Sequence, residues 1–127
     1  MAENRRVLVV DDDDAIRTLV ARVLVRANYD VGMASNGSEA VTELRTQPYR
    51  IVVLDLMMPV MSGFELVEYL ASHDDAGHPC VIIVSAAGER DMQKVTSPLV
   101  HSVLRKPFDL PELIAAVARC AAHLPPA

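Results

Sequence analysis

Short apolar runs alternate with amphipathic stretches along the whole chain. The runs lie at residues 5–10, 30–34, 50–54, 80–84 and 100–104. Most are rich in β-branched residues, which is typical of strands that are buried on both faces of a parallel sheet. The stretches between them place apolar residues at helical spacing. Because strands and helices alternate, the pattern predicts an α/β domain with a doubly wound parallel sheet.

Polar residues mark where the predicted helices begin and end. Four aspartates at 11–14 precede the first helix, and acidic side chains cap the free N–H groups of a helix N-terminus. The predicted inner face of this helix consists of Ile16, Leu19, Val20, Val23 and Leu24. Three capping pairs open later helices: Asn36 with Glu39, Ser62 with Glu65, and Asp109 with Glu112. Residues 89–97 are predicted to form a short helix that Pro98 ends.

The composition favours one globular domain. The chain has 127 residues, of which 51% are hydrophobic, and we assign residues 1–124 to the domain and 125–127 to a tail or the start of a linker. A net charge of −5 and few aromatic residues argue against direct nucleic-acid binding. The sequence predicts neither an export signal nor a membrane span. We therefore expect a cytoplasmic protein in which Cys80 and Cys120 are separate buried thiols, and the scattered histidines indicate no histidine-based metal site.

Side chains that could react or bind a ligand follow four of the predicted strands. Asp11 and Asp12 follow the first strand, Asp55 the third, Ser85 the fourth and Lys106 the fifth. Ligands of open parallel sheets bind beyond the carboxyl ends of the strands, so we expect these five side chains at one rim. Each has a simpler explanation as a cap, a turn residue or a solvated charge. Their occurrence at one end of one sheet favours a functional site.

Such a cluster of carboxylates is stable only with a cation among them, because the like charges repel. Mg²⁺, for which Mn²⁺ can substitute, accepts carboxylate and phosphate oxygens. Asp55 can then attack phosphorus as a carboxylate nucleophile. Lys106 offers positive charge to the phosphoryl oxygens, and Ser85 offers a hydroxyl. The residues therefore predict Mg²⁺-dependent phosphoryl transfer.

Four segments, in this order, resemble the receiver domain of bacterial two-component response regulators. They are Val-Leu-Val-Val-Asp-Asp-Asp at 7–13, Val-Val-Leu-Asp-Leu-Met-Met-Pro at 52–59, Ser-Ala at 85–86 and Lys-Pro-Phe at 106–108. The resemblance covers nearly the whole chain. It implies a flavodoxin-like (βα)5 fold with strand order 2-1-3-4-5.

The resemblance also implies a function. Asp55 would accept a phosphoryl group from a phosphohistidine of a sensor histidine kinase or phosphotransfer protein, and the domain would act as a signalling switch rather than a turnover enzyme. Asp12, Asp55 and the Met57 backbone carbonyl would bind Mg²⁺, with Asp11 helping through water. Ser85 would move toward the phosphate and Lys106 would pair with it. The bond between Lys106 and Pro107 would be cis.

Three features depart from the family pattern. Members often carry an aromatic residue three positions before the lysine, where this chain has Val103. Residues 93–102 lack the usual Gly-Ala-Asp pattern and contain Pro98. The positions that tune loss of the phosphoryl group are Met57 and Ala87, and neither side chain can orient a water molecule. We therefore expect an incomplete switch, an irregular helix over 89–97 and a slowly hydrolysing phosphoform.

Two other readings of the sequence stay open. The Asp11–Asp13 run also resembles the nucleophile motif of haloacid-dehalogenase-type phosphohydrolases, although Ala15 stands where Thr or Val is expected and no acidic pair follows Lys106. Alternatively, the chain is a receiver-like docking module that is never phosphorylated. The sequence does not identify the cognate kinase, the effector or output domain, or the oligomeric state.

Overall fold

The computed structural model describes residues 6–58, 61–72, 79–86 and 98–123. Within these ranges the chain forms five strands and four helices. In order they are β1 (Arg6–Val10), α1 (Asp14–Arg26), β2 (Asp30–Ala34), α2 (Gly37–Thr46), β3 (Ile51–Leu54), α3 (Gly63–Ser72), β4 (Cys80–Ser85), β5 (Val100–Arg105) and α4 (Leu110–His123). The predicted helix over 89–97 and the predicted tail at 125–127 lie outside the described residues.

The strands form one parallel sheet in the order β2-β1-β3-β4-β5. This confirms the predicted doubly wound, flavodoxin-like fold. None of the helices in the described ranges is long and apolar enough to cross a bilayer.

The sheet has a separate hydrophobic core on each face. Successive side chains of a strand point to opposite faces, so the fully apolar strands β1 and β3 supply both cores. Leu8, Val10, Val52 and Leu54 pack with α2 and α3 on one face. On the other face Val7, Val9, Ile51 and Val53 pack with α1 and α4. The continuous apolar runs in the sequence are the direct consequence of this double burial.

The predicted capping contacts fix the starts of three helices. The Asp13 carboxylate accepts hydrogen bonds from the N–H groups of Ala15 and Ile16 and begins α1. The Asn36 side chain accepts a 2.9 Å bond from Glu39 N–H. Ser62 and Glu65 bond to each other's backbone N–H at 3.3 Å. The Asp109 and Glu112 side-chain cap of α4 stays a prediction.

The prediction that Leu19 lies on the inner face of α1 is wrong. Leu19 is 49% exposed, whereas α1 buries Val20, Ala21 and Leu24. The inner stripe of the helix is centred on Val20 and Leu24, one turn apart, and Ala21 lies on one flank of this stripe. Leu19 lies on the opposite flank of that stripe.

The prediction of two separate thiols is also wrong. Cys80 and Cys120 form a disulfide with a Cα–Cα distance of 6.2 Å, within the usual range for such bonds. Helix α4 packs on one face of the sheet and runs opposite to β4. Its last turn therefore lies next to the first residue of β4. Two residues 40 positions apart in the chain therefore become neighbours.

An irregularity in the edge strand β5 alters its pairing with β4. Val81 is the partner of Val100, but the next residue, Ile82, is the partner of Ser102. His101 is therefore an additional residue in β5, which is the pattern of a β-bulge. Beyond the bulge the pairing is regular to Arg105.

Candidate functional site

The ends of β1 and β3 bring two aspartates side by side. Val10 and Leu54 are register partners, and Asp11 and Asp55 are the residues that follow them. Asp55 N–H donates to the Val10 carbonyl at 3.0 Å, and Asp11 N–H donates to the Ala34 carbonyl at 3.2 Å. Because the hydrogen-bonding pattern of the sheet continues to these residues, their backbones are held as firmly as the strands.

The ends of β4 and β5 complete the same rim. Ser85 is the last residue of β4 and is fully buried. Lys106 follows β5 directly, and its N–H donates to the Ser85 carbonyl at 3.0 Å. The bond between Lys106 and Pro107 is cis, as predicted.

Lys106 joins the two buried carboxylates. Its Nζ lies 3.1 Å from Asp11 Oδ2 and 3.2 Å from Asp55 Oδ2. Asp11 is 2% exposed and Asp55 is 5% exposed. Carboxylates buried to this degree need a cationic partner, and the ammonium group serves both.

Backbone N–H groups hold the second oxygen of each carboxylate. Asp13 N–H donates to Asp11 Oδ1 at 2.9 Å, and Met57 N–H donates to Asp55 Oδ1 at 3.0 Å. Each carboxylate thus has one oxygen fixed by the backbone and one by Lys106. Both side chains are pre-oriented, which is what a reactive group requires.

Gly63 allows α3 to begin against the loop that carries Asp55. Gly63 N–H donates to the Leu56 carbonyl at 2.9 Å. A Cβ atom at this position would lie 2.5 Å from both the Asp55 carbonyl oxygen and Leu56 Cα. Because backbone atoms cannot move aside cheaply, only glycine fits here without displacing the loop.

Burial and charge shift the pKa values of the central pair. Burial raises the pKa of Asp55, and the Met57 N–H and the Lys106 ammonium offset only part of this effect. Burial alone would lower the pKa of Lys106, but hydrogen bonding to Asp11 and the charges of Asp55 and Asp11 raise it overall. Lys106 is therefore a permanent cation, while Asp55 is a more basic carboxylate than one in water.

Three carboxylates could hold a cation at this rim. Asp11, Asp12 and Asp55 each offer an oxygen, and these atoms all lie within 4.8 Å of one another. Asp12 is exposed, whereas the other two are buried, so the cluster opens to solvent on the Asp12 side. An all-oxygen donor set of high negative charge fits Mg²⁺. The part of the Met57 carbonyl in this set stays a prediction.

Arg17 supports the site and was missed in the sequence. Its Nη1 donates to the Asp11 carbonyl at 2.8 Å, and its Nη2 forms an ion pair with Asp14. The only sequence signal is the three-residue spacing from Asp14 to Arg17, which suits a pair on one helix face. Arg17 thereby ties the first turn of α1 to the aspartate run.

Comparison with known proteins agrees with this geometry. The family model of the response regulator receiver domain matches residues 7–118. Sporulation initiation phosphotransferase F of Bacillus subtilis (strain 168) is 34% identical over 119 residues, which cover 91% of this chain and 93% of that protein. The receiver domain of Francisella response regulator 1452 has a TM-score of 0.83 at 31% identity, covering 94% of this chain and 98% of that one.

A further relative is longer than this chain. Response regulator RR06 of Streptococcus pneumoniae serotype 2 is 35% identical over 112 residues, which cover 87% of this chain and 50% of that protein. The chain thus spans about half the length of that relative. The fold, the rim of acids with its lysine, and the family match together show that this chain belongs to the response regulator receiver domain family of two-component signalling proteins.

Proposed function

We propose that Asp55 accepts a phosphoryl group from a phosphohistidine of a sensor histidine kinase or phosphotransfer protein. The observation that supports this most directly is the buried contact of Lys106 Nζ with both Asp55 and Asp11. Structural ion pairs are usually exposed or fully neutralised, whereas here two carboxylates share one ammonium. The excess negative charge is suited to a further cation and a phosphoryl group.

The transfer is a substitution at phosphorus. An Asp55 carboxylate oxygen forms the new P–O bond while the P–N bond to the imidazole breaks, and the imidazole nitrogen keeps the electron pair and takes up a proton. Lys106 stabilises the charge on the phosphoryl oxygens as the bonds change. Ser85, at the end of β4, would donate its hydroxyl to one of these oxygens after transfer.

Receiver domains generally bind Mg²⁺ at an acidic pocket, and the acid cluster fits this ion. Asp12, Asp55 and the Met57 carbonyl would hold it, with Asp11 acting through water, and Mn²⁺ can replace it. When bound, the cation offsets the repulsion between the carboxylates and the incoming phosphoryl oxygens. Burial raises the pKa of Asp55, and a bound cation would favour the unprotonated carboxylate.

The output of the switch differs from the usual pattern. Val103 is 44% exposed, and its short side chain has no ring that could move inward with Ser85. We infer that the signal leaves through Ser85 toward an effector or output domain. On this proposal the protein is a switch that is modified once per signal, not a turnover enzyme.

The test is intact mass after incubation with Mg²⁺ and acetyl phosphate. Wild type should gain one phosphoryl mass, and Asp55→Asn should gain none. Asp30→Asn is the matched control, since Asp30 is an exposed aspartate at the start of β2, and it should be modified like wild type. Chelation of Mg²⁺ should abolish the gain in wild type and in Asp30→Asn.

Two results would overturn the proposal. A wild-type protein that binds Mg²⁺ but gains no mass, with either acetyl phosphate or phosphorylated histidine kinases, would favour the unphosphorylated docking module. A gain that persists in Asp55→Asn would place the acceptor elsewhere.

A further inference from the structure

A second cluster of chemically reactive side chains lies at the other end of the strands from the acid rim, where β4 and β5 begin. Cys80 is the first residue of β4, His101 is the second residue of β5, and Cys120 lies in the last turn of α4. One ring nitrogen of His101 and the two sulfur atoms all lie within 4.8 Å of one another. None of these residues belongs to the acid rim, so the cluster is independent of the proposed function.

The bulge in β5 brings His101 into this cluster. His101 is the additional residue between Val100 and Ser102, which pair with consecutive residues of β4. Bulges redirect a side chain away from the regular alternation of a strand. The ring is also oriented by a 2.8 Å hydrogen bond between Nδ1 and Ser102 Oγ. A hydrogen bond of this kind commonly orients a metal-binding histidine.

We propose that, when the disulfide is reduced, Cys80, His101 and Cys120 bind Zn²⁺. Two thiolates and one imidazole form a soft donor set that selects zinc over magnesium. The disulfide seen in the structure is then the oxidised, metal-free form of the same site. Three protein ligands leave one coordination position for water.

The change between the two forms is a balanced exchange. A dithiol reductant gives two electrons and two protons to the Cys80–Cys120 disulfide and is itself converted to a disulfide. Zn²⁺ then displaces the two thiol protons, and both sulfurs become thiolate ligands. In the reverse direction, a disulfide oxidant of the same class takes up the two electrons, and the zinc leaves.

The surroundings of the three residues allow this exchange. Cys120 is fully buried, Cys80 is partly buried and His101 is exposed, so an ion can enter from the His101 side. Two sulfurs bound to one tetrahedral zinc are about 3.8 Å apart, given Zn–S bonds of about 2.3 Å. Because the two Cα atoms are 6.2 Å apart, we expect rotation of the two cysteine side chains to supply this separation.

The first experiment measures zinc retained by the protein. Wild type is reduced with a phosphine, incubated anaerobically with Zn²⁺ in the presence of excess Mg²⁺, passed through a desalting column and analysed for metal. Reduced wild type should retain about one zinc per chain, and oxidised wild type should retain almost none. Cys80→Ser and Cys120→Ser should each abolish retention.

His101→Ala is the decisive variant because His101 is exposed and its replacement leaves both cores intact. It should weaken zinc binding at least about tenfold in competition with a chelator. Asp12→Asn is the matched control for zinc at the acid rim and should retain zinc like wild type. Co²⁺ in place of Zn²⁺ should give a thiolate charge-transfer band in wild type and none in the cysteine variants.

Three outcomes would overturn the proposal. They are reduced wild type that retains no zinc, equal retention by oxidised and reduced protein, and loss of zinc in Asp12→Asn with no effect of His101→Ala. Circular dichroism of each variant establishes that it is folded, so a loss of zinc in a folded His101→Ala supports the site even if a cysteine variant is unstable.

Discussion

The carboxyl ends and the amino ends of the strands carry different chemistry, and we call these two sides of the sheet its carboxyl edge and its amino edge. At the carboxyl edge, Asp11, Asp55 and Lys106 form a buried cluster of oxygen donors with one ammonium. At the amino edge, sulfur and imidazole meet where Cys80, His101 and Cys120 converge. Strand β4 contributes to both, through Ser85 and Cys80, which are about 16 Å apart along the strand. The sheet therefore separates a site suited to hard cations from one suited to soft cations.

The edges also differ in how they are built. Each residue of the carboxyl edge directly follows or ends a strand, so the parallel sheet itself brings these residues together. The amino edge depends on a bulge in β5 and on the path of α4 back across the sheet. The first arrangement follows from the fold alone, whereas the second depends on a local irregularity of one strand.

The largest effect is expected at the carboxyl edge. On the proposed function, Lys106→Ala should slow phosphorylation of Asp55 by acetyl phosphate at least about 100-fold, because the charge of Lys106 would stabilise the phosphoryl oxygens. The time course of the mass gain measures this. Arg105→Ala removes the exposed neighbouring cation and should leave the rate near that of wild type. Equal slowing by both variants would show that only general positive charge matters.

At the amino edge the expected effect is on stability. The disulfide closes a loop of 40 residues, so its reduction should lower the free energy of unfolding by about 3–4 kcal/mol in the chain-entropy account. Denaturant unfolding with and without a phosphine reductant measures this, in buffer that contains a zinc chelator. The Cys80→Ser/Cys120→Ser double variant should be insensitive to the reductant, and sensitivity there would contradict the assignment.

A smaller loss is expected behind Asp55. Gly63→Ala should destabilise the protein by about 2 kcal/mol, because the new Cβ atom meets the backbone of Asp55 and Leu56. Thermal and denaturant unfolding measure the loss. Gly32→Ala is the comparison at a distance from the rim, where the new atom meets the hydroxyl end of Tyr49. Since a side chain can move and a backbone cannot, Gly32→Ala should cost less, and the reverse order would contradict this account.

The smallest expected effect is on the stability of the folded protein at alkaline pH, through Tyr49 near the amino ends of β1 and β3. Burial and the charge of Glu43 raise the pKa of Tyr49, against a smaller opposite effect of Arg6. Above a pH of about 10 the unfolded chain loses this proton while the folded chain keeps it, so stability falls as pH rises toward the folded-state pKa.

Tyr49→Phe should reduce this fall in the range around the ordinary tyrosine pKa, roughly pH 9 to 11. Urea unfolding of both proteins across this range measures the difference. A steeper slope for Tyr49→Phe would reverse the assigned sign.

Much of the carboxyl edge could be predicted from the sequence. The five apolar runs, the strand order implied by the family resemblance, and the positions of Asp11, Asp55, Ser85 and Lys106 all agree with the structure. Local signals suffice there, because the residue that ends a strand is visible in the hydrophobic pattern. The roles of these residues in phosphoryl transfer stay predictions.

The amino edge could not be predicted in this way. The meeting of Cys80 with Cys120 depends on where α4 crosses the sheet, which apolar spacing does not encode. The bulge at His101 interrupts a strand whose sequence reads as regular. The exposure of Leu19 has a similar cause, since periodicity defines a helix face only to within about one residue.

The bulge also has a consequence for transferring positions from relatives. From Ser102 to Arg105 the pairing of β5 with β4 is regular. The correspondence of Val103 with the family's aromatic position, three residues before Lys106, therefore does not depend on the bulge. Counting beyond His101 is offset by one, because that residue has no partner of its own in β4. An alignment that contains no gap there would assign the Val100 side chain to the wrong face of the sheet.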